Sequence, residues 1–126
     1  ARTSGAFSIT PGTATQLSFT VQPVATTAGA TITPAVRVAA VDAFGNTATS
    51  FTGAVTVAIG NNPAGGTLSG TTTLVATAGV AVFSSLRIDK AGSGYTLAAT
   101  AVSVTGTTSS AFDITAGAAT QLAFTL

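Results

Sequence analysis

Apolar and polar residues alternate along this chain in short runs, and clusters of Gly, Pro, Asn and Thr separate the runs. A period of two puts one set of side chains on a single face of an extended strand, and nothing here follows the 3.6-residue period of a helix. Residues 16–22 (QLSFTVQ) place Leu17, Phe19 and Val21 together, and Pro23 stops or redirects the strand. Residues 35–42 (AVRVAAVD) turn Val36, Val38 and Ala40 inward and Arg37 outward, before a turn at 43–46 (AFGN). Residues 54–59 (AVTVAI) align Val55, Val57 and Ile59, and the following GNNPAGG (60–66) is a loop by composition. Residues 72–76 form a further strand that ends at an Ala78–Gly79 turn. In 80–88 (VAVFSSLRI), Ala81 and Phe83 share a face with Leu86 and Ile88 only after a slip of parity at Ser84–Ser85, which reads as a bulge. Residues 96–104 bring in Leu97 and Ala99, and residues 110–115 bring in Phe112 and Ile114. Seven or eight strands at spacings of about 10–15 residues have the rhythm of an antiparallel two-sheet sandwich. With no crossover helix, a parallel α/β fold is excluded.

Composition agrees with that reading. Thr and Ser make up more than a quarter of the 126 residues and Glu is absent, so strand formers replace the usual surface helix formers. Charged residues are few, four basic and three acidic, yet 46% of the chain is hydrophobic, so the chain is expected to fold. One domain of ordinary size accommodates it. A net charge of +1 from scattered Arg and Lys offers no stripe for phosphates, so nucleic acid is not an expected partner. No apolar stretch reaches the roughly 18 residues that span a bilayer, and no secretory signal opens the chain. If the protein is exported, its signal is expected outside these residues. Absence of Cys excludes a disulfide scaffold without excluding secretion.

The residues able to carry chemistry are sparse. There is no His, Cys or Glu, so acid–base work would fall to three isolated Asp and Lys90, and a Ser or Thr nucleophile would lack a base. No enzyme activity is expected, and no cofactor. Zinc and its relatives lose their usual ligands as well. Asp42 with Gly45 and Asn46 could be read as a fragment of a calcium loop, but such a site needs about six to eight oxygens and no second carboxylate stands nearby. A turn is the better reading, with Asp and Asn side chains bonding to backbone and Gly45 supplying positive φ. Tyr95, the only Tyr, stands at the start of a strand two residues before the inward Leu97, where sandwiches keep a tyrosine whose hydroxyl bonds to upstream backbone; ligand stacking is the alternative. The GSG at 92–94 has Leu97 where a phosphate loop would need its third Gly. GGTLSGTTT (65–73) reads as a bend between sheets. The Thr-rich faces are either O-glycosylation acceptors or simply good strands, and no N-glycosylation sequon occurs.

The order of motifs is more specific than any of them. VRVAAVDAFGNTAT is followed by a strand, the LSGTTT segment, GVAVF and finally AGSGYTLAATA. From about Ala35 to Ala101 this resembles the bacterial immunoglobulin-like (Big) repeats of invasin- and intimin-type surface proteins, in which a V-x-V-x-D-x-x-G-N turn and a closing G-x-Y-x-L strand recur. The resemblance implies an immunoglobulin-like sandwich serving as one link in a chain of similar domains.

A duplication points the same way. AFSITPGTATQLSFTV (6–21) returns as AFDITAGAATQLAFTL (111–126), agreeing at 11 of 16 positions at a distance of 105 residues. Residues 1–14 are then the end of a preceding repeat with its linker, 15–115 the sandwich module, and 116–126 a linker and the first strand of the next repeat. Linkers of about five residues leave neighbours little freedom to swivel.

The expected function is that of a stalk or fibre spacer in a repetitive bacterial cell-surface or extracellular protein, with neighbouring repeats or copies of itself as partners. Two alternatives stand beside it. One is a filament subunit joined by strand exchange through residues 16–22 or 121–126, since few Lys, Pro or inward charges guard the sheet edges. The other is an adhesin module presenting loops 60–66 and 90–94 to a host glycan or protein.

Overall fold

The computed structural model describes Thr10 and residues 12–117. AFSIT apart from Thr10, the second copy ATQLAFTL, and most of the two flanking segments assigned above to neighbouring repeats lie outside those residues.

Twelve strand segments run in chain order: β1 (Gln16–Val21), β2 (Thr26–Thr27), β3 (Val36–Val41), β4 (Ala54–Ile59), β5 (Leu68–Ser69), β6 (Thr73–Val75), β7 (Val80–Phe83), β8 (Arg87–Ile88), β9 (Gly92–Tyr95), β10 (Leu97–Ala101), β11 (Val104–Thr108) and β12 (Phe112–Thr115). Among the described residues there is no helix. Seven of the strands form one sheet in the order β6-β4-β10-β11-β1-β3-β7, while β2-β12-β9 and β5-β8 make two smaller sheets. Neighbours are antiparallel except where β1 runs parallel to β11, with Gln16 beside Thr105, and β2 parallel to β12. These two exceptions to an all-antiparallel expectation occur where segments far apart in the chain are brought together without a hairpin to join them.

The alternating positions supply the core. Leu17, Phe19, Val36, Val38, Val55, Val57, Ala81, Phe83, Leu86, Ile88, Leu97, Ala99, Phe112 and Ile114 fall in one buried cluster to which both halves of the large sheet contribute. This is the arrangement of a sandwich-like β fold, in which burial of each large side chain is worth about 1.5–3 kcal/mol. Val21 and Ile59, at strand ends, are only half-buried. Strand β3 departs from simple alternation, because Ala39 and Val41 are buried along with Val36, Val38 and Ala40. Beyond the turn the chain doubles back along its end, with the Ala48 amide on the Ala40 carbonyl at 2.7 Å and Thr47 bridged to Val41.

Two runs are divided more finely than their sequence implies, and a third changes sheets where the sequence reads as a bend. The slip at Ser84–Ser85 is a change of partner rather than a bulge within one ladder: β7 pairs with β3, whereas β8 pairs with β5. The 96–104 run ends at Ala101, because a turn at Val102 and Ser103 (φ 68°) sends the chain back as β11. The stretch 68–75 switches sheets, β5 lying against β8 and β6 against β4. Gly70 (φ 99°) makes that switch. A Cβ there would collide with the Ser85 carbonyl oxygen, so glycine is required by both conformation and space.

Chain direction sets the geometry of the ends. Gln16 begins β1 beside Val41, the last residue of β3, and near Thr105 at the start of β11. The last strand, β12, leaves beside β2 and the β9 strand, at the end where β4 finishes and β10 starts. The chain therefore arrives at one end of the fold, the leading end, and departs from the opposite, trailing end.

Candidate functional site

Of the four residues singled out in the sequence, three form a single unit at the leading end. Asp42 follows β3 directly and is buried. Its Oδ1 accepts the Phe44 and Asn46 amides, both at 2.9 Å, and its Oδ2 accepts the Asn46 side-chain amide at 3.1 Å. The Asp42 amide donates to the Asn46 carbonyl at 2.9 Å, and Gly45, at φ 84°, returns its own amide to the Asp42 carbonyl. A carboxylate enclosed by N–H donors is an anchor for a turn. One donor comes from outside it: the Gly12 amide, 30 residues upstream, reaches Oδ2 at 2.8 Å. That contact, first of all, then the Asn46 amide, the Asn46 side chain and the Phe44 amide hold the Asp42 carboxyl at about 2, below its ordinary 3.8, although burial pushes it upward.

The segment ahead of β1 is thus fastened to the β3–β4 turn. The Thr15 amide adds a bond to the Val41 carbonyl at 2.8 Å, and the Thr15 carbonyl accepts the Thr105 amide at 3.0 Å. A cleft of about 530 Å³ opens between this segment and the turn, lined by Thr10, Gly12, Thr13, Asp42, Ala43 and Phe44. Phe44 stands at its rim with 89% of its surface exposed.

Tyr95 lies elsewhere, at the trailing end. It closes β9 rather than opening a strand, and it is fully buried. Its hydroxyl donates to the Lys90 carbonyl at 2.8 Å, five residues upstream, and its ring packs 6.2 Å from that of Phe112. Gly66 leaves the room that this hydroxyl occupies, since a Cβ there would stand 2.7 Å from it. The loops at 60–66 and 90–94 meet around this residue. Asn61 donates its side-chain amide to the Gly94 carbonyl at 2.7 Å, Asn62 brackets Gly66 through two bonds, and the Asp113 carboxylate takes the Gly94 amide at 3.1 Å. Asp89 caps the Thr67 amide at 2.7 Å. Every described acidic side chain therefore accepts backbone N–H groups.

Two participants escaped the sequence reading. Ser109 is buried, and its hydroxyl accepts the Leu97 amide and donates to the Ser110 carbonyl, joining β10 to the segment before β12. Gly12 contributes only a backbone amide, which leaves no mark on residue type. Among the described residues no three His, Cys, Asp or Glu gather to form a metal centre.

A scan against protein-family models finds no match to this chain, and a search of curated proteins finds none either.

Proposed function

We propose that the chain is a structural module of a repetitive bacterial surface or extracellular protein, an immunoglobulin-like sandwich that adds length to a stalk or fibre. The observation that carries this reading is where the described residues enter and leave the fold, at Gln16 and after β12. A module whose chain arrives at one end and departs from the other extends a polymer each time it is repeated, and the 105-residue duplication supplies the repeat. Pairing supports the immunoglobulin-like part: β1, β3 and β7 adjoin in one half and β4, β10 and β11 in the other, the grouping of such a sandwich's two faces. A short segment tied to the body through Gly12 and Thr15 suits a spacer, since stiffness as well as length decides how far a stalk reaches.

Strand exchange between chains has one observation in its favour. The outer edges of β6 and β7 border a groove of about 400 Å³ lined by Leu74, Val75, Val80 and Val82 together with Arg37 and Thr77, where Val75 is 65% exposed. A chain trimmed to residues 10–117 separates the two readings. The spacer reading expects a monomer that unfolds cooperatively on its own. If the trimmed chain folds only after a peptide of residues 119–126 is added, the subunits exchange strands and the spacer reading is wrong.

A further inference from the structure

Gly12 and Gly117 occupy the same place in the duplicated sequence, the seventh residue of each 16-residue copy, so one chain displays both surroundings of a single linker position. At Gly12 the neighbour is the module that follows: a Cβ would lie 3.5 Å from Asp42 Cβ. At Gly117 it is the module that precedes: a Cβ would lie 3.6 Å from Thr27 Cγ2 and 3.8 Å from the Ala28 carbonyl oxygen. With the linker in one conformation at both copies, the Asp42 turn of one module and the residue 27–30 turn of the module before it both come within 4 Å of the same Cβ position.

We propose that in the array the Ala43–Phe44 turn at the leading end of each module seats against the 27–30 turn at the trailing end of the preceding module, making a fixed junction; the inference rests on the tandem reading above. The pattern of exposure supports this occupant. The two most exposed large hydrophobic side chains among the described residues, Phe44 at 89% and Val102 at 86%, both lie at the leading end. They flank the linker on opposite sides, Phe44 at the cleft it shares with Thr10 and Gly12, Val102 at a second cleft of about 360 Å³ reached by Thr13 and Ala14. Large apolar groups left bare around the point where the chain arrives are placed to be covered by whatever the chain arrives from. The opposing surface is compact. Its turn is closed by the Ala30 amide on the Thr27 carbonyl at 3.0 Å and pinned by the Gly29 amide on the Ile88 carbonyl at 2.8 Å.

The test uses the full chain extended by one repeat, residues 1–120 joined to 16–126, with Phe44→Ser placed in either the upstream or the downstream copy. Only the downstream Phe44 has a complete module ahead of it. The substitution there is expected to lower the thermal midpoint of the extended chain by several degrees and to shift the amide resonances of residues 27–30 in the upstream copy. The same change in the upstream copy leaves both readouts where they were. Equal effects from the two placements, with both modules folded, overturn the junction and leave the tandem reading intact. Failure of the extended chain to form two equivalent modules overturns the tandem reading, and the junction with it.

Discussion

The Gly12 amide lies 2.8 Å from Oδ2 of Asp42, joining the segment that leads into the first strand to the turn that follows the second long strand. Thirty residues of sequence separate the two groups, and their contact fixes how the chain approaches the sandwich. It also makes the approach sensitive to charge, since the carboxylate favoured by these donors is held at about 2.

Acid should reveal that coupling. The carboxyl sits lower in the folded protein than its ordinary 3.8, so its stabilising contribution is complete above that value and is lost as pH falls through about 2. Urea midpoints measured from pH 5 down to pH 2 are expected to fall more steeply for the native chain than for Asp42→Asn, which begins lower and changes less. Parallel curves would show that Asp42 is not the linked group.

Gly70 is where the chain crosses from β5 to β6. Gly70→Ala must accept φ near 99° and a Cβ against the Ser85 carbonyl. A loss of about 2 kcal/mol or more is expected in equilibrium unfolding, together with faster hydrogen exchange in β5 and β8.

Ala78 presents the opposite case. It adopts φ 50° in the two-residue turn that links Thr77 to Val80, followed by Gly79 at φ 81°. Asn tolerates that region better than Ala, and Asn-Gly is the favoured pair for such hairpins. Ala78→Asn should raise stability by about 0.5–1 kcal/mol, read as a higher denaturant midpoint at unchanged slope.

Removing the Tyr95 hydroxyl tests the anchor at the trailing end. Tyr95→Phe keeps the ring beside Phe112 but leaves the Lys90 carbonyl without its partner. A cost of about 1–2 kcal/mol is expected, with loops 60–66 and 90–94 exchanging their amide protons faster.

How much of this could be read in advance depends on how the information is carried. Strands that bury one face announce themselves, which is why Leu17 and Phe19, Val55 and Val57, or Phe112 and Ile114 emerge from alternation alone. Strand β11 (VTGTT) buries no residue fully, β9 (GSGY) buries only its last, Tyr95, and β2 is two threonines, so none shows an alternating apolar face; backbone pairing to neighbours already in place makes them strands. The AFGN turn was legible because Asp, Gly and Asn have turn chemistry, whereas its attachment to Gly12 was not, since any residue but proline supplies an amide. Ser84–Ser85 showed as a parity slip, but a slip does not say that the next strand has changed sheets.

Successive repeats are expected to follow one another end to end. Small-angle scattering from the native chain and from the chain extended by one repeat (residues 1–120 joined to 16–126) measures this directly. Each added module is expected to lengthen the particle by roughly 20–30 Å or more, the rise of strands of about 6–9 residues, while its cross-section stays constant. A particle that thickens instead of lengthening, with the added module beside the first, would contradict it.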